Sequence, residues 1–150
     1  MEQQPAPLRV LVVEDHPGIR SVLVRAMKEH PAFAFAGEAA DGVEAVGVAE
    51  RTAPAGVSLD LSMPRRDGRA ALPLLRALLP GAAIVVFSSE PPEAAEDVLD
   101  LGADAFVPKQ AGLDALLDAL LVARRDATGP RSLSEVGGAG EPSGGAAPSA

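Results

Sequence analysis

The chain has 150 residues, enough for one domain with a sizeable core and too few for two of typical size. Its net charge of -8 offers no basic face to a phosphate backbone, so direct nucleic-acid binding is not expected. The absence of cysteine removes disulfides, thiol catalysis and zinc–thiolate sites.

Met1–Pro7 is acidic and proline-rich, with no basic segment before an apolar core, and reads as an extension rather than a signal peptide. No apolar run approaches the roughly 18 residues of a membrane span, and a cytoplasmic location is expected. Leu8–Val13 is apolar apart from Arg9 and reads as a buried strand that stops at Glu14-Asp15. Pro17 opens a helix in which Ile19, Val22, Leu23, Ala26 and Met27 share one stripe, and Pro31 ends it. Phe33–Gly37 is a weaker second strand. Asp41 with Glu44 forms a capping-box pattern for a helix running to about Arg51.

Gly56–Asp60 is the third strand, and Asp67 is placed to cap a third helix carrying Leu72, Leu75 and Leu79, with Pro73 inside it. Ala82–Phe87 is the fourth strand and ends in Ser88-Ser89-Glu90. Pro91-Pro92 opens an acidic helix that turns Val98, Leu99 and Leu101 inward, with Gly102 as its C-terminal cap. Asp104–Val107 is a short fifth strand, and Lys109 lies just beyond it. Leu113, Leu116, Leu117, Leu120 and Leu121 line a last helix that ends by Arg125. Residues 126–150 are mostly Gly, Ala, Ser and Pro without period and read as a disordered tail.

Five strands alternating with five helices predict an α/β, flavodoxin-like doubly wound parallel sheet of order 2-1-3-4-5. In that order the first and third strands adjoin at the switch point. Glu14, Asp15 and Asp60 then crowd one crevice, with Ser88 and Lys109 approaching from the far side. Like charges so close repel unless a proton, an ammonium or a cation intervenes. A hard divalent ion, magnesium above all, takes one or two carboxylates plus waters or phosphate oxygens.

Lys109 suits an incoming phosphoryl group as a point charge, and Ser88 can donate a hydrogen bond to one of its oxygens. A carboxylate nucleophile, a metal, a hydroxyl and a lysine make up a phosphoryl-acceptor site. Each residue also has an ordinary reading. A Glu-Asp pair after a strand is commonly a solvated turn, a strand-end Asp a loop cap, Ser88 a loop hydroxyl and Lys109 a surface cation. The shared sheet edge is what favours the functional reading over four separate ordinary ones.

Val10-Leu11-Val12-Val13-Glu14-Asp15-His16-Pro17, Leu59-Asp60-Leu61-Ser62-Met63-Pro64 with Asp67-Gly68, Ile84–Ser88 and Gly102–Lys109 follow one another at matching spacing. In these segments the chain resembles the receiver domain of two-component response regulators, over Leu8–Arg125. The resemblance implies that Asp60 accepts a phosphoryl group from the phosphohistidine of a histidine kinase or a phosphotransfer protein. Magnesium would be held by the side chains of Asp15 and Asp60 and the backbone carbonyl of Ser62, with Glu14 nearby or acting through water. Ser88 would be the switch hydroxyl, Lys109 the phosphate-contacting lysine and Phe106 the aromatic whose rotamer follows the hydroxyl.

The resemblance further implies that the fourth helix, fifth strand and fifth helix respond to phosphorylation. They are the face for a downstream protein target and the candidate face for a homodimer. Arg20 and Arg25, taken as exposed on the first helix, are expected kinase contacts. The Asp-His-Pro opening and the Asp-Leu-Ser-Met-Pro run most resemble regulators that carry a helix-turn-helix output domain. No such domain follows here, so the expectation is a stand-alone receiver, or a regulator that has lost its effector: extension 1–7, receiver 8–125, tail 126–150. Its chemistry would be self-phosphorylation and self-dephosphorylation, the latter shaped by Ser62 and Glu90, with no external substrate.

The sequence departs from the family pattern at several places. Gly56 and Ser58 lie in a strand that is usually apolar and suggest a less rigid Asp60. Gln110 replaces a proline that often follows the lysine, Pro73 is unusual in the third helix, and Ser89 stands where alanine is common. Two other function classes compete. A haloacid dehalogenase-type phosphohydrolase also uses a strand-end aspartate, but such enzymes carry a second aspartate where this chain has Ser62. A phosphorylation-independent docking module would keep its partner binding after Asp60→Asn. The full set of Glu14, Asp15, Asp60, Ser88 and Lys109 argues against it. His16 reads as a solvated loop residue and His30 as a helix-end residue explained by a cation or dipole contact.

Overall fold

The apolar runs of the sequence become the strands of a five-stranded parallel sheet ordered β2-β1-β3-β4-β5, as the alternation of elements predicts. The strands are β1 (Leu8–Val13), β2 (Phe33–Ala39), β3 (Gly56–Leu59), β4 (Ala83–Ser88) and β5 (Ala105–Pro108). Between and after them lie α1 (Pro17–Glu29), α2 (Gly42–Thr52), α3 (Gly68–Leu78), α4 (Ala94–Leu101) and α5 (Leu113–Ala123). The structure, a computed structural model, describes residues 5–61 and 68–125, of which Pro7–Arg124 forms one unit. The Ser62 carbonyl, the Asp67 cap and the tail 126–150 lie outside the described residues. Among those described, no helix is long and apolar enough to cross a membrane.

Side chains alternate across the sheet with the two-residue period of a strand. Leu11, Val13, Val57, Leu59, Ile84 and Val86 join the core layer that also holds Ala45 and Val48 of α2, Leu72 and Leu75 of α3 and Val98 of α4. Val10, Val12, Val85, Phe87 and Val107 join the opposite layer with Leu23 and Met27 of α1 and Leu116 and Leu120 of α5. A sheet covered on both faces explains why the central strands carry almost no polar residue.

The two odd residues of β3 are buried within this packing. A β-carbon on Gly56 would lie 3.2 Å from Leu8 Cδ2 and 3.3 Å from Val10 Cγ2, so neighbouring side chains already fill its place. Gly56 and Ser58 pair with Val10 and Val12 of β1, and every residue of β3 is buried. The flexibility suggested by composition is countered by pairing on both edges of the strand.

Several local expectations are corrected. Val22, Leu99 and Leu121, placed inward by their spacing, are 55%, 45% and 37% exposed. They sit on the flanks of stripes whose central residues alone meet the sheet. β2 runs on to Ala39, two residues past the expected end at Gly37, because Glu14 N–H still finds the Ala39 carbonyl at 3.0 Å. β3 ends at Leu59 rather than Asp60, although the Asp60 N–H continues the ladder to the Val13 carbonyl at 3.0 Å. α4 begins at Ala94 rather than at the proline pair. Pro91 and Pro92 instead form a lead-in turn closed by Ala94 N–H to Pro91 O at 2.9 Å and Ala95 N–H to Pro92 O at 3.0 Å.

Pro73 lies inside α3 with its ring on the exposed face. It cannot donate to the Arg69 carbonyl four residues earlier, and its ring crowds that group. Pro73→Ala is therefore expected to stabilise the fold by about 1–2 kcal/mol, less than the full helix-propensity difference because proline also restricts the unfolded chain. Urea unfolding reads the effect, and a lower midpoint in the alanine variant would show that α3 needs the proline.

Candidate functional site

The carboxyl ends of β1, β3, β4 and β5 deliver the site residues to one edge of the sheet, where open α/β sheets place their ligands. Glu14 and Asp15 follow β1 and are held by the start of α1. His16 is the N-cap: its Nδ1 accepts from Ile19 N–H at 3.2 Å, and its own N–H donates to Glu14 Oε2 at 3.2 Å. His16 is thus exposed, as expected, but structurally engaged. His30, the C-cap of α1, accepts from Ala32 N–H at 3.1 Å through Nδ1 and packs edge-on against Phe33.

Arg20 is also not the free surface cation expected of it. Its Nη1 donates to the Glu14 carbonyl at 2.8 Å and the Asp15 carbonyl at 3.4 Å, while Nε meets Glu38 Oε1 at 3.1 Å. The guanidinium braces the acidic loop from behind. Arg25 does stand exposed, paired with Glu29 one turn on at 3.5 Å.

Asp60 is 4% exposed and Glu14 1%, and both are reached by Lys109. Lys109 Nζ lies 2.9 Å from Glu14 Oε1 and 3.7 Å from Asp60 Oδ1. Carboxylate oxygens of Glu14, Asp15 and Asp60 gather within 4.8 Å of one another. Lys109 offsets one charge of the three. An all-oxygen donor set with excess negative charge fits a small hard divalent cation.

Two further features shape the crevice. Gly68, the first residue of α3, donates to the Leu61 carbonyl at 2.9 Å, and a β-carbon there would collide with the Asp60 carbonyl oxygen. Ser88, the last residue of β4, is fully buried, and its Oγ accepts from Glu90 N–H at 3.1 Å. The Glu90 carboxylate is gripped by Arg69, with Nη1–Oε2 at 3.1 Å and Nη2–Oε1 at 2.8 Å, and Arg69 Nε reaches Asp97 Oδ2 at 2.8 Å. Glu90 first and Asp97 second push the Arg69 pKa up.

The structure therefore gathers Glu14, Asp15, Asp60 and Lys109, and sets Ser88 at the same sheet edge. Phe106, on β5, is half-buried against the α2–α3–α4 core layer. Sequence reasoning missed Arg69 and the bracing role of Arg20. The peptide bond after Lys109 is trans, as Gln110 allows, and a 3-10 turn over Lys109–Ala111 follows. Beside the site, a groove of about 410 Å³ opens between α1 and α5, floored by Ile19, Val22, Leu23, Phe87 and Leu113 and rimmed by His16, Gly18 and Lys109.

Comparison with known proteins agrees with this geometry. The family described as "Response regulator receiver domain" matches residues 10–121. A protein-glutamate methylesterase/protein-glutamine glutaminase of Myxococcus xanthus is 45% identical over 80 residues, covering 53% of this chain but only 23% of its own length. The chain thus spans under a quarter of that relative. Among solved structures, a LuxR-family two-component response regulator from Aurantimonas sp. SI85-9A1 aligns with TM-score 0.70 at 32% identity, covering 79% of this chain and 88% of its own. The Borrelia burgdorferi CheX–CheY–BeF3–Mg complex aligns with TM-score 0.70 at 26% identity, covering 77% and 88%.

Proposed function

This chain belongs to the response regulator receiver domains, and from that premise we propose that Asp60 takes a phosphoryl group from the phosphohistidine of a histidine kinase or a phosphotransfer protein. One observation carries the reading. A nearly buried Asp60 carboxylate stands with Glu14 and Asp15 at a sheet edge, with the Lys109 ammonium 2.9 Å from Glu14 and 3.7 Å from Asp60. The Lys109 ammonium, and a divalent cation when bound, would offset the added negative charge that phosphorylation of this carboxylate brings.

In the transfer, an Asp60 oxygen bonds to phosphorus as the P–N bond to the donor imidazole breaks, and the imidazole keeps the bonding pair. Lys109 meets the charge on the phosphoryl oxygens, and the Ser88 hydroxyl donates to one of them. Asp15 and Asp60 would hold magnesium, with Glu14 touching it through water and the Ser62 carbonyl completing the protein ligands. When bound, the ion supplies charge neutralisation across donor, acceptor and transferred group. Arg20 fixes the backbone from which Glu14 and Asp15 project.

The signalling output is a change of partner binding. A phosphoryl group adds charge and acceptor oxygens beside Ser88 and Lys109, which biases the turn after β4 and the surface of α4, β5 and α5. Phe106 on β5 is the aromatic that follows, and Leu99, Leu121 and Val122 give that surface exposed apolar contacts for a protein target or a second copy. The groove between α1 and α5, with Arg25 nearby on α1, is where the phosphodonor protein would seat. The receiver extends over 8–125, in the cytoplasm. The esterase activity named for the Myxococcus relative is not part of the role proposed for this chain.

Asp60→Asn removes the nucleophile while keeping the shape. With an autophosphorylated histidine kinase and magnesium, label is expected to pass to the wild-type chain and not to the variant. Label on the Asp60→Asn variant would place the acceptor elsewhere and overturn the assignment.

A further inference from the structure

We propose that Arg69 is a positioning residue for phosphoryl transfer, holding the turn after β4 so that the Ser88 hydroxyl is kept ready for a phosphoryl oxygen. Arg69 is the second residue of α3, where the helix dipole disfavours a cation. Its placement there makes sense through its partners. Both Glu90 oxygens are taken by its fork, and Nε holds Asp97 in the first turn of α4. One side chain thereby ties α3, the turn and α4 together.

The turn is the segment that sets Ser88. Glu90 N–H donates to Ser88 Oγ at 3.1 Å, so the hydroxyl commits a lone pair to the turn and keeps its own proton for another acceptor. A Glu90 residue gripped by its carboxylate offers that N–H in one place. Arg69 also offsets the charge of Glu90, whose own N–H bonds the Ser88 hydroxyl. Without Arg69 that charge would weigh more on an incoming anionic phosphodonor. Arg69 touches neither donor nor acceptor. It acts through Glu90.

The inference rests on the reading of Asp60 as acceptor, so its test is chosen to separate the two. The rate of modification by acetyl phosphate with magnesium is measured for wild type, Arg69→Ala, Arg69→Lys and Arg69→Ala/Glu90→Gln. Calorimetric affinity for beryllofluoride with magnesium is measured beside it, since that probe exchanges a ligand on beryllium without cleaving any bond to phosphorus. Arg69→Ala is expected to slow modification and weaken beryllofluoride binding by about fivefold, with the deficit shrinking as salt rises. Arg69→Lys recovers less than half of the loss because an ammonium cannot form the fork. Removing the Glu90 charge in the double variant recovers the salt-dependent part and leaves the placement part.

A purely structural role would give no salt dependence and no recovery through Glu90. Should Arg69→Ala fail to fold, Glu90→Gln alone, which leaves α3 intact, is expected to slow modification by a smaller factor. A wild type that is modified while Arg69→Ala and Glu90→Gln match it in rate, affinity and salt response overturns the inference alone. A wild type that takes neither probe overturns the Asp60 reading and this inference with it.

Discussion

Gly68→Ala is expected to destabilise the fold by about 2 kcal/mol and to slow phosphorylation of Asp60 by about tenfold or more. Helix propensity alone points the other way, since alanine in a helix is favoured over glycine by about 1 kcal/mol. Close approach decides the sign. The added β-carbon would collide with the Asp60 carbonyl oxygen and fall 2.8 Å from Leu61 Cα and 3.0 Å from the Asp60 carbonyl carbon, all backbone. No rotamer change relieves such a contact. Either the start of α3 or the Asp60 peptide must move, and the Gly68 N–H to Leu61 carbonyl bond is lost as they part.

The backbone displaced is the one that aims the acceptor carboxylate, so stability and rate should fall together. Gly81, whose added β-carbon would meet nothing within 4 Å, is the control, and its alanine variant should stay within about 0.5 kcal/mol of wild type. Urea unfolding and the acetyl phosphate rate read both quantities. A Gly68→Ala variant with wild-type values for each would show that α3 docks more loosely on Asp60 than the structure has it.

The second large effect lies at the opposite edge of the sheet. Arg76→Ala should cost about 3 kcal/mol, through loss of charged hydrogen bonds and of the cation beside a part-buried carboxylate. Arg76 donates to the carbonyls of Gly102 at 2.9 Å, Leu79 at 3.2 Å, Pro80 at 3.2 Å and Ala82 at 2.8 Å, and to Asp104 Oδ2 at 2.8 Å. Asp104 in turn accepts from Ile84 N–H at 2.9 Å. The end of α3, the entry to β4 and the turn before β5 are thus stitched by one guanidinium.

Arg76 and Asp104 side chains are 22% and 17% exposed, which keeps water from replacing the lost partners in full. Arg76→Lys restores the charge but reaches few of the carbonyls, and should recover less than half of the loss. Because these contacts sit at the amino ends of β4 and β5, the phosphorylation rate of the folded Arg76→Ala variant should match wild type. A rate loss equal to that of Gly68→Ala would mean that the two edges of the sheet are coupled.

Most of the fold could be read from the chain because its signals are local. Continuous apolar runs at Leu8–Val13 and Ala82–Phe87 mark strands covered on both faces, the second shifted by one residue to Ala83–Ser88 in the structure. Helical stripes between them force parallel crossovers, and the sheet-edge rule then groups Glu14, Asp15, Asp60, Ser88 and Lys109 without any distance being known. What escaped depends on neighbours remote in sequence. Arg69 and Glu90 are 21 residues apart and Arg76 and Asp104 are 28, and no spacing rule links them. Arg20 looked free because its partners are the Glu14 and Asp15 carbonyls, which leave no mark in composition, and Glu38, 18 residues away.

Gly68 was legible as a turn signal, but its tight fit on Asp60 was not. The misplaced Val22, Leu99 and Leu121 show a different limit. Spacing gives the direction of a stripe, whereas the width buried depends on how much of the sheet lies beneath it.

The most direct test of the central claim is the intact mass of the chain after incubation with acetyl phosphate and magnesium. One added phosphoryl group is expected on the wild type, with none on Asp60→Asn and none when a chelator removes the ion. An unmodified wild type, or an Asp60→Asn variant that gains the same mass, would contradict the assignment of Asp60 as the phosphoryl acceptor.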